Sequence, residues 1–313
     1  MLHLRQSGGR SPLRALFLAS IAGVSIGAGV MAGPALAEPA PVQAPAAFAS
    51  DRLSVQVAGS GPDVILIPGL ASSREVWTAQ AERLKATHRV HLVQLAGFAG
   101  EPWSHGDGAF VQPVVDELAR YVREQGLNQP AVIGHSMGAL VGLRLAQTHP
   151  QTVGRLMSVD SLPFFSALYG PTATVETAAP IAANMAQTLI AMPDDAFAAS
   201  QAQTGAGMAR DPATREAIVR WSLASDRHAI AAAMRDVMTT DARPGLAAMR
   251  TPVTALYASD ADGGAPAAMA DALWAREYTT LPGVKLIRVD DSRHFIMADQ
   301  PGRFGELVDA FLK

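Results

Sequence analysis

Ser136 lies at the centre of the pentapeptide Gly-His-Ser-Met-Gly, which directly follows the apolar residues Ala-Val-Ile. A strand that ends in Gly-x-Ser-x-Gly and continues into a helix predicts a nucleophile elbow, with the serine at a sharp turn. Gly134 and Gly138 lack the side chains that would collide in such a turn. The helix predicted from 138 to 149 begins below the serine, where its dipole favours negative charge. The pattern favours a serine nucleophile over a glycine-rich turn with an idle serine.

A serine hydroxyl needs a general base that accepts its proton and later returns it to the leaving group. Among the eight histidines, His294 is favoured because it follows the last predicted strand and precedes the final helix. Its loop would lie at the carboxyl end of a strand, within reach of Ser136. His135 is adjacent to the serine, but neighbouring positions in an elbow point in different directions.

The base in turn needs an acid that orients its ring and stabilises the imidazolium. Asp260 is the first choice, because it stands nearest the end of the strand predicted from 253 to 258, and Asp262 in the same loop is the alternative. Asp160 ends an earlier strand and is a weaker candidate, because structural acids are common there. The chain order is Ser, Asp, His, as expected for a Gly-x-Ser-x-Gly elbow.

Two backbone N–H groups are expected to form an oxyanion hole. One belongs to Met137, which follows the nucleophile, and the other to Leu70 in the loop after the strand predicted from 64 to 68. A backbone N–H donates here, so the apolar side chains of both residues are compatible with the role.

Short apolar runs alternate with helical patterns over most of the chain, which is typical of a parallel sheet covered by helices on both faces. The helical patterns fall at 73–85, 109–125, 138–149, 266–277 and 302–312. The strands are predicted at Leu53–Val57, Val64–Pro68, Val90–Leu95, Ala131–Gly134, Leu156–Asp160, Val253–Ala258 and Val284–Val289.

The alternation stops between 160 and 252, where four helical stretches rich in alanine and methionine are predicted instead. They cover 181–192, 194–208, 212–224 and 227–239. Helices inserted at this point indicate a cap over the carboxyl edge of the sheet, where ligands bind in open α/β folds. A helical subdomain with only a packing role is the alternative.

Specificity should depend on the cap and the loops next to it. Methionine is a flexible residue that suits adaptable apolar pockets, although methionines at helical spacing also pack cores. Trp103 and His105 are candidates for the entrance, with an ordinary exposed loop as the competing interpretation. The cap methionines are Met185, Met192, Met208, Met234 and Met238, and the candidate substrate-binding residues are Gly69, His135, Phe164, Phe165 and Tyr169.

The first 37 residues have the pattern of an export signal. Three arginines precede an apolar run from 15 to 32, and Ala35-x-Ala37 predicts cleavage before Glu38. The run is long enough that an uncleaved membrane anchor is the alternative. The Pro/Ala-rich residues 38–50 indicate a linker. The globular part is therefore expected to be exported, either periplasmic or secreted.

Composition excludes several classes of function. The chain has no cysteine, so thiol nucleophiles and disulfides are excluded. Its formal net charge is −3, which argues against a nucleic-acid partner, and a membrane partner is expected only if the N-terminal segment is uncleaved. No motif indicates a metal or an organic cofactor.

The chain resembles the α/β-hydrolase fold family, in its capped serine-hydrolase form, over about residues 52–313. The similar segments are the loop 67–73 with Trp77, Gln-Leu-Ala-Gly-Phe-Ala-Gly at 94–100, the pentapeptide at 134–138, and the stretch 294–304 that begins His-Phe-Ile-Met. The family usually has His-Gly where this chain has Pro68-Gly69, and Asp where it has Gln94. A serine nucleophile argues against haloalkane dehalogenases and most epoxide hydrolases of this fold, which use aspartate.

The resemblance implies a mostly parallel central sheet flanked by helices, with the helical cap inserted between the sixth and seventh core strands of the family. The core is then expected at 51–160 and 246–313, and the cap at 161–245. The implied activity is hydrolysis of a small carboxylic ester through an acyl-enzyme. The same triad also serves lactonases, C–C bond hydrolases and cofactor-free haloperoxidases. Outside these enzymes, a catalytically idle binding protein and a membrane-tethered structural protein remain open.

Overall fold

The computed structural model describes residues 48–313, and the predicted signal and most of the predicted linker lie outside this range. Within this range seven strands form one sheet in the order β1-β3-β2-β4-β5-β6-β7, with β1 antiparallel to β3 and all other neighbours parallel. This is the expected mostly parallel sheet. The strands are β1 Leu53–Ala58, β2 Asp63–Ile67, β3 Arg89–Leu95, β4 Ala131–His135, β5 Arg155–Val159, β6 Val253–Ser259 and β7 Lys285–Asp290.

Both faces of the sheet are buried, which explains the continuous apolar runs in its strands. In β2, alternate residues point to opposite faces, so Val64 and Leu66 belong to one apolar cluster and Ile65 and Ile67 to the other. The first cluster includes α1 and α10, and the second includes α2, α3 and α8. These helices are α1 Thr78–Leu84, α2 Val111–Glu124, α3 Met137–Thr148, α8 Ala267–Glu277 and α10 Pro301–Leu312.

Four further helices connect β5 to β6, within the segment predicted as the cap, and we call them the cap. Asp226 begins the last of them by accepting hydrogen bonds from the N–H groups of His228 and Ala229, at 2.8 and 3.0 Å. The short helix α9, Ile296–Asp299, follows the loop that carries His294. The cap helices are α4 Val175–Ala191, α5 Asp194–Met208, α6 Pro212–Leu223 and α7 Arg227–Thr239.

Among the helices of residues 48–313, none combines the length and the apolar composition needed to cross a membrane.

Candidate active site

Ser136 occupies the turn between β4 and α3 with a strained backbone, at φ 54° and ψ −123°. A Cβ on Gly134 would lie 2.4 Å from the carbonyl oxygen of Gly138. A Cβ on Gly138 would lie 2.5 Å from the carbonyl oxygens of both Ile67 and Pro68. Because side chains cannot fit at these distances, both glycines are needed for the turn. The structure therefore places Ser136 on the elbow that the pentapeptide predicts.

The loop after β2 passes beside the serine. A Cβ on Gly69 would lie 3.2 Å from the Cβ of Ser136, so Leu70 follows a residue in close contact with Ser136. Within residues 48–313, neither the N–H of Leu70 nor that of Met137 donates to another group of the protein. Met137 is the first residue of α3, where N–H groups have no partner inside the helix. Both expected oxyanion-hole donors are thus free.

His294 pairs with Asp160. Its Nδ1 lies 2.7 Å from Oδ2 of Asp160, and Oδ1 of Asp160 accepts from the backbone N–H of Ala258 at 2.9 Å. The carboxylate is therefore held on one side by β6 and on the other by the imidazole. Since Nδ1 donates to the carboxylate, Nε2 is the ring nitrogen left to act as a base.

The prediction of Asp260 as the acid was wrong. Asp260 is only 4% exposed, and its two carboxylate oxygens pair with Arg293 Nε at 2.7 Å and Arg210 Nη1 at 2.8 Å. The hydrogen bond from Arg293 and the charge of Arg210 hold the pKa of Asp260 below its usual value, against the effect of burial. The alternative, Asp262, lies exposed in the turn beyond it. Neither carboxylate is bonded to His294.

The error has a physical cause. β5 and β6 are neighbours with parallel carboxyl ends, so an acid after either strand can approach a histidine that follows β7. A signal was available in the sequence, because Arg293 immediately precedes His294 and offers a cation to any nearby carboxylate. Asp260 forms an ion pair with Arg293, and Asp160 is the acid that pairs with His294.

A second carboxylate joins the cap to the loop of His294. Asp299, in α9, accepts hydrogen bonds from the backbone N–H groups of Arg210 at 2.8 Å and Asp211 at 3.0 Å, both in the α5–α6 connection. Its other oxygen accepts from the N–H of Arg293 at 2.8 Å. The Arg293 guanidinium also donates to the carbonyl of Ala206 at 2.7 Å. We call this set, together with Asp260, the cap tie.

His135 also contacts the loop that carries His294. Its side chain is 1% exposed, and Nε2 donates to the backbone carbonyl of His294 at 3.0 Å. The two imidazole rings are 4.5 Å apart. Burial, reinforced by the nearby His294, lowers the pKa of His135 well below its usual value, so this histidine is neutral near pH 7.

We expect the buried His135 to make folding stability depend on pH. Below about pH 6.5 the side chain of residue 135 is protonated in the unfolded chain but stays neutral in the native protein. The free energy of unfolding therefore falls by up to about 1.4 kcal/mol for each unit by which the pH decreases. In His135→Asn and His135→Gln this loss is absent, and stability should fall less steeply between pH 6.5 and 5. His91, whose pKa is also lowered by burial, contributes equally to all three proteins.

Urea unfolding at several pH values measures these slopes. Equal slopes in the wild type and both variants would contradict a depressed pKa at His135. Two replacements of different shape separate the titration of the ring from any packing defect that either one introduces.

Two cavities meet at the serine, and Ser136, Met137 and His294 line both. The larger, of about 420 Å³, extends under the cap and includes Gly69, Leu70 and His135, and the smaller, of about 130 Å³, includes Asp160 and Trp274. Phe165 lines both cavities, as expected of a substrate-binding residue, and three of the five cap methionines line the larger one: Met208, Met234 and Met238.

Other candidate substrate-binding residues lie elsewhere. Phe164 is fully buried with the Arg243 guanidinium 4.4 Å from its ring, and Tyr169 is 61% exposed, so neither lines these two cavities. Trp103 stacks on the buried Phe110 at 5.2 Å with His105 against its edge, also away from both. Met185 and Met192 are likewise outside them. Among residues 48–313, no group of three potential ligands is arranged to hold a metal ion.

Residues 64–307 match the model of the alpha/beta hydrolase family. The chain belongs to this family. Two curated relatives are pimeloyl-[acyl-carrier protein] methyl ester esterases, from Aliivibrio fischeri strain MJ11 (36% identical) and Aeromonas salmonicida strain A449 (33%). Each alignment spans 115 residues, 37% of this chain, and covers 42% and 44% of the relatives. The match therefore spans less than half of these relatives' length.

Solved structures share the fold over most of the chain. The enol-lactonase from Burkholderia xenovorans LB400 has a TM-score of 0.67 at 18% identity, covering 83% of this chain and 96% of that one. A thermophilic esterase from Thermogutta terrifontis has a TM-score of 0.68 at 22% identity, covering 83% and 92%. At these identities the likeness establishes the fold.

Proposed function

We propose that the chain is a serine hydrolase that cleaves a small carboxylic ester through an acyl-enzyme. The observation that carries this proposal is the convergence of Ser136 on a strained elbow with the His294–Asp160 pair at the same two cavities. Similarity to relatives named as methyl ester esterases supports the same reaction class.

In this mechanism Ser136 Oγ attacks the ester carbonyl carbon while Nε2 of His294 takes its proton. The negative charge that develops on the carbonyl oxygen is stabilised by the free N–H groups of Leu70 and Met137. Asp160 keeps the proton on Nδ1 and stabilises the imidazolium. When the C–O bond breaks, His294 gives the proton to the departing alcohol oxygen.

Water then hydrolyses the acyl-enzyme with the same groups. His294 accepts a proton from the water as its oxygen bonds to the acyl carbon, and returns the proton to Oγ of Ser136 as the acid leaves. The carbonyl oxygen occupies the oxyanion hole again. Ser136 regains its hydroxyl, and the released carboxylic acid carries the oxygen of the water.

A fluorophosphonate probe and a panel of p-nitrophenyl esters, aryl esters and lactones test this function. We expect covalent labelling of Ser136, located by peptide mass spectrometry, together with turnover of at least one ester. Labelling with lactone turnover alone would assign a lactonase. No labelling and no turnover would identify a catalytically idle binding protein and overturn the proposal.

We also propose that the chain is exported, because of the arginine-rich start, apolar run and Ala-x-Ala site of its first 37 residues. Expression of the full chain in a bacterial host should give a periplasmic or secreted protein. Sequencing of its N-terminus should find Glu38. A retained Met1 in the membrane fraction would instead indicate an anchor, and a retained Met1 in the cytoplasm would contradict export.

A further inference from the structure

Three helices of the cap each turn one face toward the larger cavity at Ser136. The lining residues of each helix are spaced three or four positions apart, and residues at this spacing lie on one side of a helix. Their side chains therefore form the wall of the cavity. They are Gln201, Thr204 and Met208 in α5, Ile218 and Ser222 in α6, and Ile230, Met234, Val237 and Met238 in α7.

This wall carries no fixed charge. Among residues 48–313, Asp160 is the one Asp, Glu, Lys or Arg that lines either cavity at the serine, and it lines the smaller one. Its negative charge would repel a second anion. His135 lines the larger cavity, but burial lowers its pKa, so it is neutral near pH 7. An anionic group in the larger cavity would have no lysine or arginine to pair with.

Three arginines that lie close in sequence to the lining residues are bonded elsewhere. Arg210 and Arg293 donate to Asp260 at 2.8 and 2.7 Å. Arg235 donates to the backbone carbonyl of Asp107 at 2.8 Å. None of the three lines either cavity, so none is placed to bind a carboxylate of the substrate.

The accessible part of the larger cavity is apolar as well. Of the residues that line it, Leu168 and Met208 have the largest exposed fractions, 50% and 36%. The polar groups of the wall are neutral, and the longest is Gln201, whose amide donates to the Ser200 hydroxyl at 3.2 Å. Burial of an unpaired carboxylate among such groups is costly.

We propose that the larger cavity binds an uncharged apolar chain of the ester and rejects a chain that ends in a carboxylate. The face of α5 formed by Gln201, Thr204 and Met208 contributes to this preference because it offers no cation. The inference rests on the proposed ester hydrolysis and names the substrate class of that site. The chain belongs to the acyl or the alcohol half, and substrates matched in each half distinguish the two.

The test compares esters that differ only at the end of the chain. For the acyl half, p-nitrophenyl hexanoate is paired with mono-p-nitrophenyl adipate, and for the alcohol half, hexyl acetate is paired with 6-acetoxyhexanoate. In each pair a terminal methyl group is replaced by a carboxylate, several bonds away from the reacting carbonyl. In the pair whose chain enters the larger cavity, the wild type should show a kcat/KM at least about 100-fold higher for the neutral member.

Gln201→Lys adds a cation on the side of α5 that faces the cavity, and it should reduce this preference about tenfold. Gln203→Lys is the matched control, because it makes the same change on the same helix at an exposed residue that lines neither cavity. Its preference should equal that of the wild type, which excludes a general attraction of anionic substrates by the added charge. Should Gln201→Lys melt well below the wild type, Met208→Lys repeats the test at an exposed position of the same face.

Similar kcat/KM values for both members of each pair in the wild type would overturn the proposal while ester hydrolysis stands. Equal shifts in the cavity variant and in Gln203→Lys would overturn it too, as would labelling of Ser136 without turnover of either neutral ester. If the wild type hydrolyses no ester and is not labelled by the fluorophosphonate, the proposed function itself fails.

Discussion

Replacing Ser136 by alanine is expected to lower kcat for ester hydrolysis by about 10⁴- to 10⁶-fold. The elbow, the free N–H groups of Leu70 and Met137 and the cavities stay in place, but no hydroxyl remains to form the proposed acyl-enzyme. The residual rate would come from binding and from the Leu70 and Met137 N–H groups alone. Stopped assays with the best ester of the panel measure the loss, and fluorophosphonate labelling should disappear with it.

Ser136→Ala should unfold at a temperature close to that of the wild type, because alanine adopts the same turn without a larger side chain. A thermal melt in parallel therefore separates lost chemistry from lost structure. Turnover within about tenfold of the wild type in a folded variant would be incompatible with an acyl-enzyme at this residue.

The second large effect is expected at Asp160. In Asp160→Asn the side-chain amide cannot stabilise an imidazolium and favours the wrong tautomer of His294, so kcat should fall by about 10³- to 10⁴-fold. Asp260→Asn is the matched control, because it makes the same change at the acid that follows the next strand. Asp260 is bonded to two arginines rather than to His294, and its variant should lose far less activity.

The two variants should also differ in stability. The pKa of Asp260 lies below its unfolded value, so its carboxylate stabilises the native chain above about pH 4, and this contribution is lost as the pH falls through the native pKa. Asp260→Asn should therefore melt at a lower temperature than the wild type at pH 7, with a smaller difference at pH 3. A larger loss of kcat in Asp260→Asn than in Asp160→Asn would contradict the assignment of the acid.

Local sequence patterns were sufficient for the parts of the site that depend on neighbouring residues. The elbow is one such part, because a strand, two glycines and a helix define the position of Ser136. His294 lies beside Asp160 in the loop after the last strand, where the sequence places the proposed base. The strands and the cap helices also follow from apolar runs and helical spacing, and α5 and α7 have the predicted bounds.

Contacts between distant segments were not readable in the same way. Asp160 and Asp260 both follow strands that end at the same edge of the sheet. Arg293 beside His294 indicates a nearby cation, but packing in space determines that Arg210 and Arg293 both pair with Asp260 and that Asp160 pairs with His294. The methionines of the cap show the same limit. Helical spacing places Met185 and Met208 on helices, but packing of the cap determines that only Met208 lines a cavity.

The cap tie has a consequence for exchanging parts between proteins of this family. Asp299 and Asp260 connect the segment 206–211 to the loop that carries His294, so this stretch of the cap also helps to hold His294 in place. A chimera with a foreign cap would retain that frame only if 206–211 stayed native or if the donor supplied equivalent N–H groups and a cation. The part of the cap that can be exchanged between proteins without disturbing His294 consequently lies outside 206–211.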